Sequence, residues 1–475
     1  MSKVSRRRFI GTAAALCGGS VLGAPAFAAP TPPILRAGPS LAPLLPEGRT
    51  PTPVWAYAIE GAGTVPGPEI RVRAGDTIRY RLVNDLPQPT AVHWHGIRIR
   101  NAMDGAAPLV QRPVPEGGSF DYDFVAPDPG TYWYHAHNRS WEQVARGLAG
   151  PLIVEDREPW AGREGAATRE HTLVLDDWLL ERDGTLVEGR WADLHAASHG
   201  GRLGNVVTVN GRARPALAVA RGARLRLRLV NAATDRIMPL ALPGLSAVLI
   251  ALDGYPVDPR AAERIDISPA QRADIVIDIP DVLTPETGIF LDAGRGGPVA
   301  LLDLRLESAP ATRAQGEVRP LPAWDNPVAP DLSSPQRETL VLEGGAMRGL
   351  GQTSFEGEML DGRALARRGM VWAFNGAANR MDRPLFEVQT GRTLVLTMQN
   401  RTAFPHAMHL HGYHFAIIAR NGRPEPLPDI RDTVLVNVDE TLEIALTGQN
   451  PGDWMLHCHM LSHQAAGMTA FFRVT

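Results

Sequence analysis

The sequence is poor in lysine, in cysteine and in long apolar stretches. Lys3 is the single lysine, so arginine carries nearly all of the positive charge, and the formal net charge of the 475-residue chain is −3. This charge, without a clustered basic stripe, is not typical of a nucleic-acid-binding protein. The two cysteines, Cys17 and Cys458, are too few for a disulfide framework. No stretch is long and apolar enough to predict a stable membrane span.

Glycine and proline are abundant instead, with 47 and 41 residues spread along the chain. This distribution favours a turn-rich β protein over a helical one. Hydrophobic residues make up 44% of the chain, which is enough for a large core and excludes an intrinsically disordered protein. At about 150 residues per domain, the length predicts about three domains.

The N-terminus has the pattern of an export signal. Arg6, Arg7 and Arg8 form a twin-arginine block, a mildly apolar run follows, and residues 26–28 read Ala-Phe-Ala, a small-x-small cleavage site. We predict a twin-arginine signal peptide at residues 1–28, a periplasmic location and the twin-arginine export machinery as a partner. Such a route exports folded proteins, which suits a chain that must load its cofactor first.

One strand pattern occurs three times. A glycine is followed by alternating apolar residues and, nine positions after the glycine, by an asparagine; the copies occupy residues 74–84, 221–231 and 390–400. Alternation of this kind predicts a half-buried strand. The copies start about 150 to 170 residues apart, far beyond the period of a solenoid. We therefore predict an all-β fold of three homologous β-sandwich domains, near residues 45–155, 165–310 and 335–475.

The histidines are clustered. Ten of the 14 fall in four short motifs. They are His93 and His95; His135 and His137; His406, His409 and His411; and His457, His459 and His463. Residues i and i+2 of a strand share a face, so each H-x-H pair points two imidazoles the same way. Eight such imidazoles predict a cluster of transition-metal ions.

The last motif indicates which metal. Cys458 points away from His457 and His459, while His463 follows five residues later and Met468 five after that. One thiolate, two imidazoles (His463 and the distant His406) and a weak thioether make a blue-copper site, whereas zinc would need no axial thioether. The same strand also links Cys458 directly to two histidines that face the other metal cluster.

The four motifs resemble the copper-binding motifs of multicopper oxidases. They read H-W-H-G, W-Y-H-A-H, H-x-x-H-x-H-G and H-C-H-x3-H-x4-M. The resemblance covers the whole mature chain and implies three tandem cupredoxin-like Greek-key domains. It implies oxidation of a reducing substrate at a type 1 copper and four-electron reduction of dioxygen to water at a trinuclear cluster. Ala407 stands where the family usually has proline, which we expect to change only a loop.

The resemblance also implies the copper ligands, position by position. The type 1 copper would be held by His406, Cys458, His463 and Met468. The type 2 copper would be held by His93 and His409. One type 3 copper would be held by His95, His135 and His459, and the other by His137, His411 and His457. The reductant would give its electrons near the surface, through His463 or His406, so that Cys458 and His463 act in electron transfer.

Protons for dioxygen reduction need carriers. Asp104 lies nine residues after His95, where relatives carry an acid beside the cluster, and we predict that it is a catalytic proton relay. Relatives often carry a second acid directly after the last type 1 histidine, where this chain has Gln464. An amide cannot deliver a proton, so the second relay is missing or comes from elsewhere.

The reductant is open between two main hypotheses. The first is a laccase-like oxidation of phenols or other small organic reductants. The second is a periplasmic Cu(I) oxidase for copper tolerance. Relatives of that kind carry a methionine-rich insert, with acid and methionine before the first type 1 histidine, but residues 401–405 hold neither. A copper-free scaffold and a two-domain nitrite reductase are disfavoured because the complete ligand set is present, and bilirubin-type oxidation stays open.

Three smaller expectations complete the sequence-based prediction. The glycine-rich tract at residues 343–361 is predicted to cover the type 1 site, and its methionines are scattered. Asp429 and Asp432 are predicted to lie in a solvated loop, although an acid there could accept a phenolic proton. Relatives of this size are often monomers, so a monomer is expected.

Overall fold

The computed structural model describes residues 31–157, 160, 167, 169–292, 297–308, 316–325, 328–426 and 429–475. The predicted signal peptide at residues 1–28 lies outside the described residues. Residues Pro33–Thr475 form one compact unit. None of the helices in the described part of the chain is long and apolar enough to cross a bilayer.

The first part of the chain forms two four-stranded sheets. One has the strand order β2-β1-β4-β6 and the other β3-β8-β7-β5. The strands are β1 Ile34–Ala42, β2 Thr52–Ala58, β3 Ile70–Arg73, β4 Thr77–Asn84, β5 Val92–His95, β6 Ser119–Val125, β7 Gly130–Ala136 and β8 Ala149–Glu155. A 3-10 turn at Asn101–Met103 and the short helix α1 at Ser140–Gln143 connect them.

The middle part forms a six-stranded sheet, in the order β10-β9-β12-β17-β14-β15, and a five-stranded sheet, in the order β11-β19-β18-β13-β16. The elements are β9 Arg169–Trp178, helix α2 Leu194–Ala197, β10 Val206–Val209, β11 Ala216–Val219, β12 Arg224–Asn231, β13 Met238–Ala241, β14 Ser246–Leu252, β15 Tyr255–Ala261, β16 Arg264–Ile267, β17 Arg272–Asp278, β18 Ile289–Asp292 and β19 Pro298–Leu306.

The last part repeats the arrangement. One sheet has the order β23-β20-β25-β31-β27-β28 with β29 beside β27, the other β24-β33-β32-β26-β30, and β21 and β22 form a hairpin. The elements are β20 Gln336–Gly344, β21 Thr353–Phe355, β22 Glu358–Leu360, α3 Gly362–Arg367, β23 Trp372–Phe374, β24 Glu387–Val388, β25 Thr393–Asn400, β26 His406–Leu410, β27 Phe415–Arg420, β28 Arg423–Pro424, β29 Ile430–Arg431, β30 Thr433–Val436, β31 Thr441–Thr447, β32 Gly452–Cys458, α4 Leu461–Ala465 and β33 Thr469–Val474.

The predicted all-β fold class is confirmed, since strands make up 47% and helices 5% of the structure. The exact domain boundaries stay a prediction. One apolar core, which includes Trp94 and Leu410, is shared by the first and last pairs of sheets. The middle pair has its own core around Leu227 and Ile275.

The repeated asparagine closes the same turn three times. Asn84, Asn231 and Asn400 end β4, β12 and β25, and each is at most 3% exposed. Each side-chain amide donates to main-chain carbonyls, and each side-chain oxygen accepts from the N–H two residues later. The amide thus satisfies buried main-chain groups that the strand leaves unpaired. These hydrogen bonds explain why an asparagine ends the strand in all three copies of the pattern.

We predict that Asn231→Ala lowers the free energy of unfolding by about 3 kcal/mol, because it leaves buried carbonyls of Arg236 and Ile267 and the N–H of Ala233 unpaired. The midpoint of chemical unfolding measures the effect. Gln352→Ala removes an amide from an exposed position and serves as the matched control. An unchanged midpoint for Asn231→Ala would contradict the role given to the repeated amide.

Candidate metal centres

The histidines of the four motifs lie on paired strands. β5 pairs with β7, which places His93 opposite His135. β26 pairs with β32, which places His409 opposite His457. Strands from two distant parts of the chain therefore deliver their imidazoles to one buried place.

Eight imidazoles meet there, and each is at most 4% exposed. They form three sets in which the ring nitrogens that could bind a metal lie within 4.8 Å of one another. The sets are His93, His95 and His409; His95, His135 and His459; and His137, His411 and His457. The last two sets, and the pair of His93 with His409, are the groupings that the sequence resemblance implies for type 3 and type 2 coppers.

Asp104 holds two of these rings by their outer nitrogens. Its carboxylate is fully buried. Its main-chain carbonyl accepts from Nδ1 of His93 at 2.7 Å, and its Oδ2 accepts from Nδ1 of His411 at 2.8 Å. Because these oxygens accept, Nδ1 of each ring carries the hydrogen and Nε2 keeps its lone pair. The predicted role of Asp104 as a proton relay is a separate matter and stays a prediction.

Asp432 holds two other rings, and here the prediction of a solvated loop was wrong. The side chain is fully buried. Its carbonyl accepts from Nδ1 of His409 at 2.9 Å, and its Oδ1 accepts from Nε2 of His95 at 3.1 Å. A short loop is buried here because an adjoining sheet covers it, which the polar sequence around Asp432 does not indicate. Asp429 is partly exposed and pairs with Arg260 at 3.0 Å.

The nitrogens that face inward are unsatisfied. Among the described residues, four of them are buried without a hydrogen-bond partner; they are Nε2 of His93, His137 and His409 and Nδ1 of His95. Nε2 of His459 lies 3.4 Å from Nε2 of His135. Nε2 of His411 lies 3.0 Å from Nε2 of His457, whose Nδ1 donates to the carbonyl of Cys458. Two lone pairs therefore face each other. A bound cation would pair with the unsatisfied nitrogens and would relieve the repulsion between the facing lone pairs, so this donor set fits metal ions.

Burial favours the neutral form of His95, His135, His409 and His457. It lowers the pKa of His457 to about 4. Burial, together with repulsion from neighbouring imidazoles, holds the pKa values of His95, His135 and His409 well below their usual range. Neutral imidazole is the form that binds a metal ion, so the lowered pKa values of these rings favour metal binding.

A second site surrounds Cys458. Its Sγ lies 3.8 Å from Nδ1 of His406 and 3.8 Å from Nδ1 of His463, and the two Nδ1 atoms are 3.0 Å apart. Nε2 of His463 donates to the carbonyl of His199 at 2.7 Å, and Nε2 of His406 contacts the hydroxyl of Thr402 at 2.7 Å. Two Nδ1 lone pairs and one sulfur therefore converge on a common point.

The chemistry of these donors fits copper. Burial raises the pKa of the Cys458 thiol, so a thiolate forms there when a cation compensates its charge. Met468 is fully buried beside the site, where its N–H donates to the carbonyl of His463 and its carbonyl accepts from the N–H of Cys458. Soft thiolate with two imidazoles is typical of a blue-copper centre.

A segment at residues 197–199 covers this second site. The carbonyl of Ala197 accepts from Nε1 of Trp372, the carbonyl of Ser198 accepts from the N–H of Ala346, and the carbonyl of His199 accepts from His463. His463 and His406 both have 0% exposure. Neither ring reaches the surface, and the entry of electrons through His463 or His406 stays a prediction.

A cavity of about 730 Å³ lies on the outer side of that segment. Leu194, His195 and Ser198 line it on one side, and Leu350, Ala366 and Val371 on the other. Gly345, Ala346, Gly349 and Asp361 of the glycine-rich tract also line it, so this tract lies next to the covering segment.

Gln464 makes a structural contact. Its Oε1 accepts from the hydroxyl of Ser140 at 2.8 Å, which joins α4 to α1. The amide therefore bridges two parts of the chain at the position where relatives often carry an acid.

Sequence reasoning missed Arg272, Thr402 and the true environment of Asp432. Arg272 donates to both carboxylate oxygens of Asp432, at 2.9 and 2.5 Å, and is fully buried. The sequence offered only indirect signs of these roles. Thr402 lies four residues before the predicted ligand His406, and Asp432 directly precedes a strand. Arginine is too common in this chain for one residue to stand out.

The chain is similar to proteins of known type. Three family models described as multicopper oxidase match residues 43–159, 169–285 and 356–475. Multicopper oxidase MmcO of Mycobacterium tuberculosis is 32% identical over 85% of this chain and 81% of its own. Laccase-1 of Fomitopsis schrenkii is 27% identical over 86% of this chain and 81% of its own. The crystal structure of a multi-copper oxidase from Pseudomonas thermotolerans, 32% identical, has a TM-score of 0.78 and covers 93% of this chain and 98% of that one.

Proposed function

Because the chain belongs to the multicopper oxidase family, we propose that it oxidises phenols or other small organic reductants in a laccase-like reaction. The protein is a copper-dependent oxidoreductase with dioxygen as its acceptor. One observation carries the assignment of its sites. The strand β32 ends in Cys458 of one buried donor set, and the residues on either side of Cys458, His457 and His459, belong to the other.

We assign the ligands as the resemblance implies. His406, Cys458 and His463, with the thioether of Met468, would hold the type 1 copper. His93 and His409 would hold the type 2 copper, and the sets of His95, His135, His459 and of His137, His411, His457 would hold the type 3 pair. The inward lone pairs described above support this assignment.

When bound, copper would supply one-electron redox chemistry at the first site and the chemistry for four-electron reduction of dioxygen at the second. The chain supplies the connection. Cys458 is joined through single peptide units to His457 and His459, so a covalent path links the two donor sets. Both ends of this path are fully buried, which excludes bulk water and fixes the ring orientations.

Asp104 is the acid that we propose as proton carrier. Its carboxylate touches Nδ1 of His411 at 2.8 Å and lies 3.3 Å from Nδ1 of His93. The structure gives it no arginine partner within the described residues. Gln464 cannot replace the second acid of relatives, because its amide does not titrate in the accessible pH range.

The cavity beside residues 197–199 is the proposed docking site of the reductant. Its walls are mostly apolar, with His195 at one side and Asp361 at the other, which suits an aromatic ring with one polar group. The hydrogen bond from His463 to the carbonyl of His199 then connects the wall of the cavity to a type 1 ligand. Electrons would enter through this covering segment rather than by direct contact with His463.

Cu(I) oxidation is the second candidate. Met347 and Met359 are 75% and 62% exposed and belong to the tract that lines the cavity. Exposed thioethers are soft ligands that favour Cu(I). Two scattered methionines are fewer than a methionine-rich insert, so the organic reductant is the better-supported substrate.

We also propose export to the periplasm by the twin-arginine route, which rests on the sequence of residues 1–28. A monomer is proposed as well, from the size of the chain.

The replacement of Cys458 tests the assignment of the sites. We predict that Cys458→Ser abolishes the blue absorption band and lowers oxygen uptake by at least about 1,000-fold, because hard oxygen replaces the soft thiolate. Absorbance and an oxygen electrode measure both. Cys17→Ser alters the only other cysteine and should leave the purified enzyme blue and active. A blue, fully active Cys458→Ser variant would refute the assignment.

The cavity is tested by filling it. We predict that Ala366→Trp raises KM for a phenol about tenfold without changing the type 1 reduction potential, since it removes docking space only. Ala364→Trp changes the same helix at a residue that does not line the cavity.

A panel of a phenol, an aminophenol, Cu(I), Fe(II) and bilirubin, followed by oxygen uptake, ranks the substrates. A dominant Cu(I) rate would favour the second candidate.

Export is tested with the signal. We predict that the double variant Arg6→Lys, Arg7→Lys retains the protein in the cytoplasm, because lysine does not replace the twin-arginine block that the export machinery reads. Fractionation of cells followed by immunoblotting measures the distribution. Arg36→Lys is the matched control outside the signal. Equal periplasmic amounts of the double variant and the unaltered protein would overturn the proposed route.

A further inference from the structure

The middle pair of sheets contributes no residue to the proposed copper ligands, yet it supplies the side chain that closes one wall of the trinuclear site. This side chain is Arg272, the first residue of β17, and it has 0% exposure. An arginine without solvent contact needs a partner for its charge and for each N–H group. The contacts of Arg272 therefore indicate its structural role.

All five side-chain N–H groups of Arg272 are used. Nε donates to the carbonyl of Thr131 at 3.0 Å. Nη1 donates to the carbonyl of Ala270 at 3.2 Å and to Oδ1 of Asp432 at 2.9 Å. Nη2 donates to the carbonyl of Asp253 at 3.0 Å and to Oδ2 of Asp432 at 2.5 Å. One guanidinium thus joins β7, the middle pair of sheets and the loop that precedes β30.

The carboxylate that Arg272 clamps faces the imidazoles. Oδ1 of Asp432 accepts from Nε2 of His95, and the carbonyl of Asp432 accepts from Nδ1 of His409. His95 belongs to the proposed type 3 ligands and His409 to the proposed type 2 ligands. Asp432 therefore sets the hydrogen position and orientation of one ring at each kind of copper.

Gly96, in the H-W-H-G motif, shows how closely the pair packs. Its φ is +85°, and a Cβ there would lie 2.4 Å from Nη2 of Arg272 and 2.6 Å from Oδ2 of Asp432. The glycine that follows His95 leaves the space in which the ion pair sits. The first part of the chain is therefore shaped around this contact as well.

Asp104 on the other ring pair has a different environment. Asp432 is held by a bidentate arginine, whereas the partners of Asp104 are His93 and His411. Although burial by itself lowers the pKa of Arg272, the carboxylates of Asp432 and Asp253 outweigh it and hold the pKa above its ordinary value. The guanidinium stays charged, and the Asp432 carboxylate has a permanent counter-ion.

We propose that Arg272 is a positioning residue for the trinuclear copper site, which it orients through Asp432, so that the middle pair of sheets controls copper binding without ligating copper. This inference rests on the proposed copper assignment. It gives a physical reason for a middle domain in a protein whose copper ligands all lie in the first and last parts of the chain.

The test uses Arg272→Lys and Arg272→Gln in the full-length, copper-loaded protein. Lysine keeps the charge but cannot form the bidentate contact, and glutamine removes the charge. We expect the affinity for the type 2 copper to fall about 10- to 100-fold in both variants. Copper content after graded chelation and the type 2 signal in electron paramagnetic resonance measure this. The blue band is the internal reference, because the Cys458 site does not contact Arg272.

Arg228→Lys and Arg228→Gln are the matched controls. Arg228 is 4% exposed, and its hydrogen bonds go to Thr131, Asp274 and Glu170, none of which is a proposed copper ligand. The control variants disturb an equally buried arginine that also reaches β7. They should keep the type 2 signal, and any general destabilisation shows in their thermal midpoints.

Each possible outcome either supports or contradicts the proposal. Loss of type 2 copper with retention of the blue band in either Arg272 variant, and not in the Arg228 variants, supports the proposal. Equal retention of type 2 copper in the Arg272 and control variants overturns it. So does parallel loss of the blue band and the type 2 signal in Arg272→Lys, or a failure of that conservative variant to fold, because Arg272 would then be merely structural. If the unaltered chain binds no type 2 copper, the proposed copper assignment itself fails.

Discussion

Unpaired lone pairs in a dry interior are the constraint on which the rest of this structure depends. Eight imidazoles are almost wholly buried, several of their nitrogens have no partner among the described residues, and others oppose one another. Without cations this arrangement is unfavourable, since each unpaired buried polar atom costs free energy of the order of 1–3 kcal/mol. The sheets and the carboxylates of Asp104 and Asp432 hold these rings in place for copper.

The outer nitrogens of the rings are held by two different carboxylates. Asp104 and Asp432 each fix two imidazoles, so that the ring atoms that face inward are the ones without hydrogen. The two carboxylates are held differently, one by histidines and the other by a buried arginine from the middle pair of sheets. The middle pair of sheets, which supplies none of the proposed copper ligands, can thus contribute to a metal site through the charge of Arg272.

At the other site, the cover is made by main-chain carbonyls. Residues 197–199 present three successive carbonyls to Trp372, Ala346 and His463. His463, which we propose as a type 1 ligand, therefore donates a hydrogen bond to a segment that also borders the outer cavity. In this arrangement the identity of the reductant depends on cavity walls, which vary with loops, rather than on the copper ligands.

The sequence alone determined the fold class, the threefold strand pattern and the residues expected at the copper sites, because strand alternation and H-x-H spacing are local properties with a period of two. The family resemblance also implied an acid, Asp104, beside the copper cluster. Only the tertiary structure decided that Asp432 is buried, that Arg272 clamps it, and that His463 lies beneath residues 197–199. These contacts join residues more than 150 positions apart, and such pairs leave no periodic trace in the chain because each depends on how separate sheets pack together.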